Sequence, residues 1–509
     1  MTRYGSYSKI IFSPNLKFAC AASVLLALPL QSHASLDDLA GSFGNQLEEL
    51  SAASNQATYD QLALSGCTDL QVNATEACSG GAFISWQTVR ELVHTGNELT
   101  GEGSTLFSLG LDLEGLGFSL RWTAGEEFSA QGDMSNSFVG GQLSGLASRI
   151  SALRHGGSRY AYNQHENTGI LVAAKYLDGK TGGGASADSS DDGYIKAWSP
   201  WGSFLNASYT YGSRSATTLG DAFDFDGMDL SGGVDYRFDN HQVFGVMLGY
   251  QSEELDFDSS KSIVDGGVDM TGYSIQPFYL YQSDSWYMSL SLGYQMMSFD
   301  MDRSIRYPSL NPDVESTDTT AVSDTDATGF SSSSTFGYAF NPLSEVSIEP
   351  YMTFDYRNVE VDGYTEKDLE NDGFDFIVSD QDIDSLETAY GLKLQYILAS
   401  SYGVFIPYVD MQHRIQHKDE SRNIEAFYVN ASEAIGNIQD AAFTLPTDDP
   451  DSSYQVYTLG LSTVIQGAQL TGDNTAASGG LQAFANIRFF KNLAHYTQTQ
   501  IAGGLRYEF

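Results

Sequence analysis

The chain has 509 residues, 65 of them acidic and 25 basic, for a formal net charge of −40 with histidine neutral. A chain this negative is repelled by nucleic acid and by anionic membrane surfaces, which excludes nucleic-acid binding as a function class. Mean hydropathy is −0.23 and no stretch beyond the start reaches the about 20 apolar residues of a membrane helix; membrane strands alternate and average out to neutral hydropathy, so they are not excluded.

Residues 1–34 read as a secretory leader. Arg3, Lys9 and Lys17 form a positive region, FACAASVLLALPL (18–30) an apolar core, and Ser32-His33-Ala34 a small-x-small cleavage site. The apolar run is short for a membrane anchor, so the mature chain is expected to start near Ser35 with a net charge of −43, three basic residues fewer. Cys20 leaves with the leader. Cys67 and Cys78 remain, in GCTDLQVNATEAC, and in an exported chain they predict a disulfide closing a small loop. Two thiols without a nearby histidine make a poor metal site.

Residues 35–135 have helical character. LDDLAGSFGNQLEELSAASNQATYDQLAL (36–64) and WQTVRELVHTGNEL (86–99) carry apolar residues at three- and four-residue spacing. A further helix is expected over 136–157, with Leu143, Leu146, Ile150 and Leu153 on one face and Gly156-Gly157 as its stop. That stripe also suits a helix packed outside, against the helical N-terminal region. Residues 158–193, including KTGGGASADSSDDG, read as a flexible linker.

From residue 194 the period changes to two and stays there. In WYMSLSLGYQM (286–296), Trp286, Met288, Leu290, Leu292, Tyr294 and Met296 alternate with Tyr287, Ser289, Ser291, Gly293 and Gln295. YGLKLQY and VSIEPYMTFDYR repeat the device, with Lys393 and Gln395, and Glu349, Asp355 and Arg357, on their polar faces. An apolar, aromatic-tipped face opposite a small or polar one is the pattern of a strand between lipid and a wet lumen. About twelve such strands are expected, starting near Trp201, Met228, Gln242, Val268, Trp286, Thr328, Val346, Leu386, Val404, Tyr454, Gly480 and Thr497. Short connections (RFDNH, QSDSW, FNPLSE, ASSYG) alternate with long acidic ones around 300–328, 359–385 and 415–453. The fold class is thus an all-β membrane barrel over 194–509, preceded by a small, mostly α-helical region. A soluble sandwich would need polar outer faces.

The chain ends QIAGGLRYEF, with Ile501, Gly503, Leu505, Tyr507 and Phe509 on one face. In a closed barrel the last strand meets the first, since an open edge cannot face lipid. A terminal strand ending in an aromatic resembles the sorting and insertion signal of outer-membrane barrel proteins, which assigns Tyr507 and Phe509 to assembly.

WGSFLNASYTYG (201–212), FDFDGMDLSGGVDYRF (223–238), VFGVMLGY (243–250) and the closing LRYEF occur in order. Together they resemble the translocator domain of autotransporters (type Va secretion) over residues 190–509. The resemblance implies an outer-membrane barrel of a Gram-negative bacterium that carries a helix through its lumen, anchors the region before it and exports that region to the cell surface. It implies long loops outside the cell, a periplasmic C-terminus, and a monomeric barrel in contact with outer-membrane lipid. Barrel-assembly machinery and periplasmic chaperones are the implied partners, with no cofactor. LASRISALRHGG resembles the segment that precedes the barrel in many members, which makes 136–157 the lumen helix. Its Arg149 and Arg154 are then expected to meet an inward carboxylate, Glu349, Asp355 or Asp410. The chain departs from many members in its short exported part, and no Asn-Asn pair lies in the lumen helix.

Sequence offers little catalytic chemistry. There is no GDSL block, G-x-S-x-G elbow or HExxH. His413 and His417 in DMQHRIQH, with Asp410, leave a barrel-rim hydrolase as an alternative, although residues four apart in a strand are ordinary wall positions. DAFDFDGMD fails the EF-hand template, with Ala222 in place of the first aspartate. The acidic loops read as solvated surface. A passive pore or adhesive surface protein is the remaining alternative.

Overall fold

The computed structural model describes residues 36–155 and 201–509, apart from 240, 258–262, 284, 344, 401–402, 433, 437, 467–468, 471–476 and 479. The expected leader and the linker over 158–193 lie outside the described residues.

Twelve long strands form the barrel: β1 Trp201–Arg214, β2 Phe223–Arg237, β3 Gln242–Phe257, β4 Gly266–Gln282, β5 Trp286–Tyr307, β6 Thr317–Tyr338, β7 Val346–Val361, β8 Gln381–Tyr396, β9 Gly403–Gln416, β10 Ser453–Gln466, β11 Leu481–Lys491 and β12 Tyr496–Glu508. Each pairs antiparallel with the next in sequence. The ladder closes between β1 and β12, in a register running from Gly202↔Glu508 to Arg214↔Tyr496. No main-chain edge then faces lipid, which is the condition for a sheet to span a bilayer. Along each strand, exposed apolar residues such as Leu290, Leu292 and Tyr294 alternate with buried Ser289, Ser291 and Gln295.

Four strands start where the alternation predicts, at Trp201, Gln242, Trp286 and Val346. The segment 300–328 differs. Instead of a long loop it is mostly strand, because β5 runs to Tyr307 and β6 begins at Thr317, leaving only 308–316 as a connection. Exposed Asp300, Asp302, Asp324 and Asp326 alternate there with buried Phe299, Arg303, Thr325 and Ala327. The period of two survives while the outward composition turns acidic, and the acidity hid the strand.

Helices precede the barrel: α1 Gln46–Ser65, α2 Gly81–Thr100, α3 Leu113–Trp122 and α4 Ala130–His155. Asn45 caps α1 by accepting from the Leu47 amide, and Gly66 ends it in the left-handed region at φ 114°. The Cys67–Cys78 disulfide closes the loop between α1 and α2. Of the run before α1, only Leu36–Leu39 forms a single 3-10 turn. Helix α3, which the apolar spacing does not announce, is short and contains two glycines.

The long connections 362–380 and 417–452 are folded. Tyr364–Thr365, Phe376–Val378, Asn423–Tyr428 and Phe443–Pro446 pair into a four-stranded sheet at the long-loop end of the barrel. Helices α1–α3 share one apolar core with it, in which Leu62 and Trp86 join Phe374, Phe376, Tyr428 and Phe443. Each such side chain stabilises by roughly 1.5–3 kcal/mol on burial. Tyr428 Oη donates to Asn55 Oδ1 at 2.9 Å, so the buried polar atoms of this interface also meet. The N-terminal region is therefore a cap built jointly with the barrel's loops.

Candidate functional site: the threaded lumen

Helix α4 runs inside the barrel from the cap toward the short-turn end. Near its start Gln131 donates to Tyr364 Oη at 3.0 Å, and Asp133 accepts from Tyr496 Oη at 2.7 Å. Midway, Gln142 donates to Asp229 Oδ1 at 2.6 Å and accepts from Ser274 Oγ at 2.9 Å. A Cβ at Gly141 would run into the Asp229 carboxylate, so a side chain there would have to push that carboxylate off the helix. Further down, Leu146, Ile150 and Leu153 pack on Phe204, Met247, Phe278, Leu280 and Tyr287 from the inner wall. The apolar stripe thus faces an apolar strip of the lumen.

Arg154 lies near the end of α4, with Nη1 2.8 Å from Glu349 and its guanidinium carbon 3.2 Å from the Tyr287 ring centre. Arg149 does not meet Glu349, Asp355 or Asp410; its carboxylate is Asp235 of β2. Neither Asp355 nor Asp410 pairs with an arginine of α4. Arg414 of β9 lies 3.5 Å from Asp355, and Tyr351 donates to both oxygens of Asp410 at 2.8 and 2.9 Å. Wall partners thus hold these two acids, and the same wall gathers Arg357 and Arg414 at Glu387, 2.5 and 2.9 Å away, with Tyr454 donating to it at 2.9 Å. Asp235 has the inward parity of β2 that Gly233 and Arg237 share, and that parity is the signal that could have found it. The same parity along β7 puts Tyr351 inside, an aromatic on the wet face.

Opposite the apolar strip, a cavity of about 850 Å³ separates α4 from the wall and is lined by Tyr351, Lys393, Tyr408, Asp410, Arg414 and Arg488, among others. His413 and Asp410 have opposite parity on β9: Asp410 lines this cavity, whereas exposed His413 lies 3.4 Å from the Gln455 amide nitrogen. His417 lies 2.8 Å from Thr388 Oγ1. Asp221 of the DAFDFDGMD run accepts the Val264 amide at 3.1 Å and lies 3.7 Å from Arg121.

Buried carboxylates mark the junction of cap and helix. Burial pushes the Glu127 carboxyl up to about 8, against the pull of Arg303. Burial likewise carries Glu126 up to about 7, although Arg121 grips it through two nitrogens at 2.5 and 2.9 Å. At the far end Tyr507 and Phe509 point outward and are half exposed, while Arg506 and Glu508 point in and are buried.

A closed antiparallel barrel, apolar outside, polar inside and carrying a helix along its axis, has the architecture of an outer-membrane translocator. Residues 203–479 match the model of the autotransporter beta-domain, and the chain belongs to that family, which places it in the outer membrane. Esterase EstA of Pseudomonas aeruginosa and of Pseudomonas putida are each 25% identical over 256 residues, covering 50% of this chain and 35% of theirs. The chain thus spans about a third of the length of these curated relatives. Among solved structures, the translocator domain of NalP from Neisseria meningitidis aligns with a TM-score of 0.42 at 12% identity, covering 62% of this chain and 90% of that one. The beta domain of the Bordetella autotransporter BrkA aligns with a TM-score of 0.37 at 13% identity, covering 60% and 99%.

Proposed function

We propose that the chain exports its own N-terminal region, residues 35–135, through the outer membrane and retains it as a lid on the barrel. The observation that carries this reading is α4, 26 residues along the lumen, with the cap at its start and the short-turn end of the barrel beyond its finish. Short turns face the periplasm in barrels of this kind. The cap and the folded loops then lie outside the cell, and the C-terminus lies in the periplasm. In this reading Tyr507 and Phe509 present the closing strand to the assembly machinery, with periplasmic chaperones acting earlier, and the barrel works as a monomer without a cofactor. The reading assigns no catalytic role, and the activity in the name of the Pseudomonas esterases is not carried over from a match to a third of their length.

An epitope inserted between Asn73 and Ala74, exposed in the disulfide loop, tests the reading. It should be cut by protease added to intact cells. Protection until the outer membrane is permeabilised would overturn export of this region.

A further inference from the structure

Three arginines around the large lumen cavity reach a carboxylate: Arg154 meets Glu349, and Arg357 and Arg414 meet Glu387. Arg488 of β11 meets none among the described residues. It donates instead to two neutral groups, Gln500 Oε1 at 3.3 Å and Ser148 Oγ at 3.2 Å, and both bonds are long. The register of the barrel explains this isolation. Lys393, Asp410, Thr458, Arg488 and Gln500 stand opposite one another on β8 to β12 and form one row facing the cavity. Asp410 lies two strands from Arg488, roughly 10 Å across the sheet, and Tyr351 donates to both of its oxygens. Beyond Lys393 the row continues to Glu349, which Arg154 takes.

Arg488 is partly exposed, and the space it is exposed to is the cavity of about 850 Å³. That volume falls in the range of small-molecule sites, about 300–1,000 Å³. The space exists because α4 turns small residues to this side, Ser144, Ala147, Ser148 and Ser151. At the cap end the lining includes Asp448, Asp449 and Asp451, which makes the mouth acidic. Arg488 lies three residues inside the end of β11 at Lys491, about 10 Å along the strand. Screening over about 8 Å at physiological salt separates it from the charge of the mouth.

We propose that this cavity binds a small organic monocarboxylate, its carboxylate on the Arg488 guanidinium and its body between α4 and Tyr408. A guanidinium fork holds a carboxylate through two parallel, charge-assisted hydrogen bonds, stronger than the neutral ones they replace. The acidic mouth disfavours anions of higher charge, and the cavity is far larger than an inorganic ion needs. The site does not depend on which side of the membrane the cap occupies, so its test is independent of the export reading.

The test is calorimetric titration of the full chain in detergent micelles, against empty micelles, with benzoate and with its uncharged counterpart benzamide. Benzoate should bind saturably, once per barrel, and at least tenfold more tightly than benzamide. Arg488→Gln should remove that preference, and Arg488→Lys, which keeps the charge without the fork, should fall between. No saturable binding of benzoate, equal affinities for the two probes, or an unchanged benzoate affinity in Arg488→Gln would overturn the proposal. Phosphate at the same concentration should fail to displace benzoate; displacement would show a general anion site and overturn the choice of a carboxylate. Should Arg488→Gln fail to assemble, wild-type crystals soaked in 4-bromobenzoate decide: an anomalous peak in the cavity beside Arg488 and Ser148 is expected, and no peak there refutes the site.

Discussion

Arg154 and Glu349 meet between helix and wall, each at most 5% exposed. Removing one partner leaves the other charge poorly compensated, at a cost of about 3 kcal/mol. Glu349→Gln should therefore lower the stability of the assembled barrel in denaturant titration by about that amount. The double variant Arg154→Met/Glu349→Gln should recover part of the loss; equal stability of Glu349→Gln and wild type would show the pair to be solvated. Glu127 gives a pH dependence of definite sign. Its carboxyl titrates at about 8 in the fold and near 4.3 in an unfolded chain, so between those values the folded state holds the extra proton. The linkage relation then makes stability fall as pH rises through that window. Glu126 acts in the same direction up to about 7. Corrected for the base catalysis of intrinsic exchange, the amide protection factors of the cap should be lower at pH 8.5 than at pH 6, and Glu127→Gln should flatten that trend; protection that rises with pH would contradict it.

The strands and α4 were legible to different degrees. Alternation located the starts of β1, β3, β5 and β7 to the residue, because lipid on one side and lumen on the other enforce a strict period of two. It lost β5 and β6 above the membrane, where water replaces lipid and the outward residues become Asp300, Asp302 and Asp324. The cap sheet was hidden for another reason. Its strands are two to six residues long and pair across distant parts of the chain, below what local periodicity can resolve. Phe374, Phe376, Phe427, Tyr428 and Phe443, set among acidic residues, were its trace. For α4, the stripe Leu146–Ile150–Leu153 suited a lumen or an outer surface equally, because nothing local says which wall is apolar. Of the helix arginines, Arg154 lies against a carboxylate chosen by strand parity, whereas Arg149 takes Asp235, on a strand that the choice left out. The fit of α4 has its own consequence. Gly141→Leu should displace the helix from Asp229, leave the barrel assembled and make the cap at least several-fold more sensitive to trypsin. Unchanged protease resistance would mean that the lumen is roomier than the contact at Gly141 implies.

At the scale of the whole molecule, the cap, the loop sheet and the lumen helix form one continuous body on a closed barrel. The N-terminal region shares its core with loops 362–380 and 417–452, so it completes its fold only where those loops are. For an exported segment, burial of that shared apolar core favours the arrived state over the one still in transit. The most direct test labels single added cysteines on intact cells with a membrane-impermeant maleimide. Glu102→Cys, exposed in the cap, should react at once, while His241→Cys, exposed in the turn between β2 and β3, should react only after the outer membrane is permeabilised. Labelling of His241→Cys on intact cells, with Glu102→Cys protected, would contradict the account.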